Sequence, residues 1–385
     1  MFSSRLDWTT RLNPIAELLA AKRAAGVEVL DLTQSNPTQA GIEYPPDLTA
    51  ALSDPASIRY EPEPFGLPFA REAVAEYYRG AVDPSRILLT ASTSEAYAYL
   101  FKLLCDPGDE ILIPRPSYPL FEYLAKLESV NVKQYPLFYD HGWHIDMAAL
   151  RSAITPRTRS IVTVHPNNPT GSFLKRRELA ELTELAQRHD LALISDEVFS
   201  DFGLDQEDSR AGVVANESEA LSFSLSGLSK IAGLPQMKLA WMVVGGAPPL
   251  RDAALQRLEL IADTYLSIGT PVQTAARALL SARQSVVPQI RARLQRNREV
   301  LPPHLEIEGG WYATLRLPRV RTEEEWILKL LRDDDVLAQP GFFYDFESEA
   351  YLVISLLTAP DIFDEGLRRL ADLVLRSLHP SMEPA

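Results

Sequence analysis

From about residue 86 to residue 244 the chain alternates short apolar runs with stretches whose apolar residues recur at helical spacing, and few architectures accept that pattern. Ile87-Leu88-Leu89, Glu110 to Ile113, Val130 to Tyr135, Ser160 to Val164, Leu191 to Ile194 and Leu239 to Val244 read as strands. Between them, Ala96, Tyr97, Leu100, Phe101 and Leu104 follow a helical period behind Ser94 as a candidate N-cap. Leu120 to Leu127, Met147 to Ile154 and Lys175 to His189 read as further helices. Such alternation predicts an α/β fold with a mostly parallel sheet covered on both faces. After about residue 285 the order changes. A helix through Ile290, Leu294, Asn297 and Leu301 precedes candidate strands at Trp311 to Leu317 and Tyr351 to Leu357, and a last helix carries Phe363, Leu367, Leu370 and Val374. This grouping predicts a smaller α+β domain, with the helix Ile15 to Ala25 packed on it. We expect an N-terminal arm over 1–35, a large domain over 36–270 and a small domain over 271–385.

Composition narrows the function classes. The 385 residues carry 38 Lys+Arg against 52 Asp+Glu, a net charge of −14, so no basic stripe tracks a phosphate backbone and nucleic acid is not an expected partner. One cysteine, Cys105, excludes an intramolecular disulfide and a cysteine-built zinc site, and fits a reducing compartment. The six histidines have no ligand spacing, so no metal is assigned. No apolar run reaches the ~18 residues of a membrane helix. Arg5, Asp7 and Arg11 stand where a signal peptide would be apolar. The expectation is a cytoplasmic protein with no membrane partner. The acidic runs Glu323 to Glu325 and Asp333 to Asp335 read as solvated helix faces.

In open α/β sheets, ligands bind beyond the carboxyl ends of the strands. The polar residues after the apolar runs are Thr90 to Ser94, Pro116-Ser117-Tyr118, Asn167 to Gly171, Asp196-Glu197 and Ser226 to Lys230. One rim would thus gather hydroxyls at a helix start, an aromatic ring, an amide, a carboxylate and an amine. Each has an ordinary reading by itself: Asn-Pro-Thr-Gly makes a good turn, Asp196 could cap an element, and Lys230 could be a surface lysine.

In this order the rim resembles the fold-type I pyridoxal-phosphate enzymes of the class I/II aminotransferase family. The resemblance runs from about Leu30 to Leu357 and rests on Asn168-Pro169-Thr170-Gly171, Asp196-Glu197-Val198 and Ser229-Lys230 with Gly233 beyond. The spacings of 28 residues from Asn168 to Asp196 and 34 from Asp196 to Lys230 are also similar to the family's. It implies an aspartate aminotransferase-like fold whose large domain binds pyridoxal 5'-phosphate, the aldehyde held by Lys230 as a Schiff base. It further implies that Asp196 keeps the pyridine nitrogen protonated, Asn168 donates to the phenolate oxygen, and Tyr118 stacks on the ring. Thr93 and Ser94 would hold the phosphate at a helix N-terminus, with Ser226, Ser229 and Lys238 alongside. Tyr60 resembles the tyrosine that reaches the neighbouring subunit's phosphate, which implies a homodimer. The implied activity moves an amino group between a small-molecule amino donor, an amino acid, and a 2-oxo acid. Another reaction on the same scaffold, β-elimination at a carbon–sulfur bond or decarboxylation, remains the alternative.

Five positions depart from the family pattern. Phe199 stands where a tyrosine is usual three residues after the aspartate, and Gly227 where a serine precedes the lysine by three. Lys238 replaces an arginine and keeps the charge without the fork. Val353, in Tyr351-Leu352-Val353-Ile354-Ser355, fills the slot of the arginine that grips the substrate carboxylate. Ser35 replaces a glycine lining the same site. Either another cation takes the carboxylate, with Arg316 and Arg319 nearby in sequence, or the substrate is unusual. An apolar wall at Val353 would make ordinary α-amino acids poor substrates.

Overall fold

Thirteen strands form among the described residues of the computed structural model, which describes residues 2–9, 11–205, 208–348 and 350–379. In chain order they are β1 (Leu30–Asp31), β2 (Ile87–Thr90), β3 (Glu110–Arg115), β4 (Asn131–Tyr139), β5 (Trp143–Ile145), β6 (Thr158–Val164), β7 (Ala192–Asp196), β8 (Ser222–Gly227), β9 (Ala240–Gly245), β10 (Tyr312–Arg316), β11 (Val336–Leu337), β12 (Gln339–Pro340) and β13 (Tyr351–Ser355).

The large sheet has the order β2-β9-β8-β7-β6-β3-β4-β5. It is the mostly parallel α/β sheet that the alternation predicts, with β9 antiparallel to both neighbours and β5 turning back on β4. Its strands sort their side chains by alternation. Ile111, Ile113, Ile194, Phe223, Leu225, Met242 and Val244 fall in one apolar cluster with the helices Thr93–Leu104 and Pro248–Tyr265. Leu112, Ile161 and Leu193 pack on the other face with the helix Arg176–His189, and Ile87, Leu89, Trp241 and Val243 with the helix Pro68–Tyr77. The antiparallel pair β4–β5 was not legible beforehand. β5 is three residues long and carries Trp143-His144-Ile145, too short for a period to register.

The second body is built on a three-stranded antiparallel sheet, β10-β13-β12, and on the parallel pair β1–β11. Ala313, Leu315, Leu352 and Ile354 turn into a core with Trp311, Trp326, Leu330, Phe363 and Leu370. The helix Pro14–Ala24 joins this core through Ile15, and Lys22 reaches the carbonyl of Arg332 and the carboxylate of Asp335. Ala275, Ala276, Leu279, Leu280 and Ala282 pack with the large sheet, past the boundary expected at 270, whereas Val286, Ile290 and Leu294 of the helix Arg283–Glu299 pack in the second core. Asn297, fully buried on that helix, donates from Nδ2 to the carbonyls of Leu356 and Thr358.

One surface expectation fails. Glu323 is 2% exposed, because its two carboxylate oxygens accept from the backbone amides of Tyr351 (2.7 Å) and Phe342 (2.6 Å). A buried carboxylate serving two otherwise unpaired amides reads in sequence like any acidic helix start. Among the described residues no helix is long and apolar enough to cross a membrane.

Candidate active site

The strands β2, β3, β6, β7 and β8 all end at one rim, since β2 is antiparallel to β9 and β9 to β8. Asp196 is the last residue of β7. Its Oδ2 accepts from the Tyr97 hydroxyl and its Oδ1 from the Val198 amide, both at 3.3 Å. Burial pushes its carboxyl up to about 6 against these two bonds and the positive charge of Lys230. Glu197, next along, turns to the opposite face, where Ser224 Oγ (2.6 Å) and the Val214 amide (3.0 Å) donate to it. It belongs to the scaffold and not to the rim.

Lys230 lies in the one-turn helix Leu228–Ile231 that follows β8 directly. Its amine sits 5.3 Å from the Phe199 ring and 5.0 Å from the Trp311 ring. Aromatic faces favour a cation and so does Asp196, yet burial outweighs both and draws the amine down to about 8. Such an amine sheds its proton near neutral pH and can attack a carbonyl carbon.

The helix Thr93–Leu104 starts just past β2, and its N-cap is Ser92, whose hydroxyl accepts from the Glu95 amide (3.2 Å). Ser94, read as a candidate cap, is the second residue of the helix: Ser92 has the extended backbone a cap needs, and Thr93 already begins the helix. The hydroxyls of Thr93 and Ser94 have no partner among the described residues and face no competing cap role. Asn167 ties two rim loops together, accepting from Ser117 Oγ (2.9 Å) and donating to the carbonyl of Pro116 and to Thr170 Oγ1. Its neighbour Asn168 is buried with an unpaired Oδ1, and Ser226 is buried with an unpaired Oγ. Gly171 has a φ of +72°, and a Cβ there would come within 2.6 Å of the Gly309 carbonyl. The turn therefore needs glycine for conformation and for close approach together.

Tyr118 is half-exposed at the end of the β3 loop, its phenol pushed up by burial and by the charge of Asp196. Ser229 is partly accessible beside Lys230. Lys238 is exposed at the same rim, two residues before β9, in the left-handed conformation (φ 52°). Tyr60 stands apart, 70% exposed on the outer surface next to Ile58.

Gly227 has a local cause. A Cβ there would lie 2.7 Å from Ala240 Cβ, its cross-strand partner, so a serine side chain has no room. Phe199 packs edge-on to Trp311 at 5.2 Å between ring centres. Val353 is fully buried on β13, and neither nearby arginine joins it: Arg316 is exposed with its guanidinium 5.2 Å over Tyr139, and Arg319 is exposed beyond β10.

Several residues at the site escaped sequence reading. Tyr97 counted as one more apolar helix position, and Trp311 and Tyr312 as strand residues. Tyr312 is hydrogen-bonded to Ser35, and its phenol is pushed up by burial with Tyr118 close by. Tyr344 lies in the same group.

The donor set fits pyridoxal phosphate: an amine of lowered basicity, a buried carboxylate, orphaned buried amide and hydroxyl oxygens, and free hydroxyls at a helix N-terminus. Comparison with known proteins agrees. The family model for aminotransferase class I and II matches residues 27–352. Glutamate-pyruvate aminotransferase AlaA of Escherichia coli (strain K12) is 30% identical over 282 residues, covering 71% of this chain and 69% of that protein. Alanine aminotransferase of Mycobacterium tuberculosis (strain ATCC 25618 / H37Rv) is 28% identical over 371 residues, covering 90% and 85%. Alanine aminotransferase from Pyrococcus furiosus superposes with a TM-score of 0.88 at 23% identity, over 98% of this chain and all of that one. With lysine, aspartate and asparagine on one rim of this sheet, and the family model spanning both bodies, the chain belongs to the class I and II aminotransferases, the pyridoxal-phosphate-dependent enzymes of fold type I.

Proposed function

We propose that Lys230 holds pyridoxal 5'-phosphate covalently and that the enzyme passes an amino group from an amino acid to a 2-oxo acid as a cytoplasmic homodimer. The observation that carries this reading is the Lys230 amine, drawn down to about 8 by burial, walled by Phe199 and Trp311, and in the field of Asp196. The bound cofactor supplies an electron sink for the pair left when the substrate Cα loses a proton. Lys230, its amine drawn down to near-neutral strength, would be the base that carries this proton. Asp196 keeps a proton on the ring nitrogen, and its bonds from Tyr97 and Val198 fix the orientation of its carboxylate. Asn168 serves the phenolate oxygen without help from position 199, where phenylalanine has no donor. Thr93, Ser94, Ser226, Ser229 and Lys238 would hold the phosphate, Tyr118 would cover the ring, and Tyr60 would reach the neighbouring subunit. The Cys105 thiol, pushed up to about 12 by burial, takes no part.

The relatives' names direct the first donors to alanine and glutamate. Holoenzyme given one of them with no 2-oxo acid should convert its cofactor stoichiometrically to the amine form, read by absorbance. Release of ammonia with the cofactor unchanged would instead favour elimination. Lys230→Ala should lose turnover by about 10³-fold or more, and borohydride should no longer fix the cofactor to the protein. Covalent label at another lysine would overturn the assignment.

A further inference from the structure

Val353 stands in the slot of the family's carboxylate-binding arginine, and its neighbours across the sheet are uncharged. Thr314, Val353 and Gln339 form one row over β10, β13 and β12. Directly opposed residues share a face, and this one is opposite to the core-facing Ala313, Leu315, Leu352 and Ile354. The row's face leads to Lys230. Tyr312, two residues before Thr314, lies 6.2 Å from the Phe199 ring, which is 5.3 Å from the Lys230 amine.

Two features of the row point to a ligand. Thr314 is 2% exposed, and its hydroxyl has no hydrogen-bond partner. An unpaired buried hydroxyl costs stability and is rare in a folded chain. Gln339 accepts from the Tyr344 hydroxyl at Oε1, which turns its amide NH2 away from Tyr344, and that NH2 bonds to no described residue. The next residue pair outward on this face, Arg316 with Tyr351, carries a cation, but its guanidinium lies over Tyr139.

We propose that Thr314 and Gln339 receive the substrate carboxylate through uncharged hydrogen bonds in place of a guanidinium, with Tyr344 positioning the Gln339 amide. This rests on the aminotransferase reading above. Val353 is then a spacer between two donors, and the apolar wall expected there is flanked by a hydroxyl and an amide. Such bonds are charge-assisted through the carboxylate alone and lack both the ion pair and the two-pronged fork of a guanidinium. Affinity for α-amino acids should therefore be modest and nearly independent of salt. The pocket should also accept an α-amino acid amide within about tenfold of the acid, since it offers no charge to tell them apart.

The test compares steady-state alanine kinetics and propionate binding in the wild-type holoenzyme, Gln339→Leu, Thr314→Val and Gln339→Glu. Propionate binding is read by saturation-transfer NMR with propionamide as control. Gln339→Leu and Thr314→Val should each raise KM about tenfold, with a smaller change in kcat. Gln339→Glu should raise KM further for alanine than for alaninamide and should abolish the propionate signal. If both conservative variants keep wild-type KM and propionate contact, the proposal is overturned while the aminotransferase reading stands. If no donor converts the bound cofactor, that reading falls, and the propionate arm alone decides whether this row holds a carboxylate.

Discussion

Lys230 and Asp196 are each held away from their ordinary ionisation by the same cause, and the consequence for stability can be signed. Asp196 is raised from 3.8 to about 6, so the cost of its buried charge is absent below about pH 4, grows to pH 6 and is full above that. Lys230 is lowered from 10.5 to about 8, so its cost is full below about pH 8 and disappears as the pH rises towards 10.5. In the cofactor-free protein, Asp196→Asn should gain about 1–2 kcal/mol at pH 7.5, part of the gain being lost because Lys230 misses the carboxylate. It should gain nothing at pH 4. Thermal unfolding at the two pH values measures this, and a variant less stable than wild type at pH 7.5 would mean that the carboxylate is a net stabiliser. The same substitution should lower turnover by about 10²–10³-fold. Both residues were legible in the sequence because each is a polar group just after an apolar run. Tyr97 and Gln339 were not, since a tyrosine on an amphipathic helix and a glutamine before a proline look the same with or without a ligand to serve.

At the scale of the element, alternation decides most of what the site contains. The period-2 pattern of β13 sends Leu352 and Ile354 to the core and Val353 to the opposite face, and the pattern was readable. Which residues lie across from it was not, because Gln339 belongs to a two-residue strand whose pairing exists only in the folded sheet. The departure at Gly227 has the same origin in cross-strand neighbours. Gly227→Ser should destabilise by about 1–3 kcal/mol through overpacking against Ala240. Ala240→Gly in that background should return part of the loss, as denaturant unfolding of the three variants would reveal. Additive effects of the two changes would mean that the serine clashes elsewhere.

For the whole molecule, the exposed side chains of Ile58 and Tyr60 stand outside the packed interior of their own subunit, which accords with the shared-site dimer proposed above. Tyr60→Ala and Lys230→Ala proteins, each inactive or weak alone, should complement when mixed and refolded. Every hybrid dimer then has one site with both residues intact, so about a quarter of wild-type activity returns. No recovery would place Tyr60 outside the partner's site. A change of pattern near residue 285 and an N-terminal helix packed on the smaller body were expected from the sequence, whereas the pairing of β1 with β11 was not, because β1 is two residues long. That pairing sets an order of events in synthesis. β1 waits for β11, and Lys22 waits for Asp335, a partner 313 residues later. A nascent chain emerging from the ribosome can complete its eight-stranded sheet by residue 245, while its first helix still has no surface to cover. For most of translation, Ile15, Leu18 and Leu19 are therefore exposed to solvent and to chaperones, and the catalytic cleft closes last.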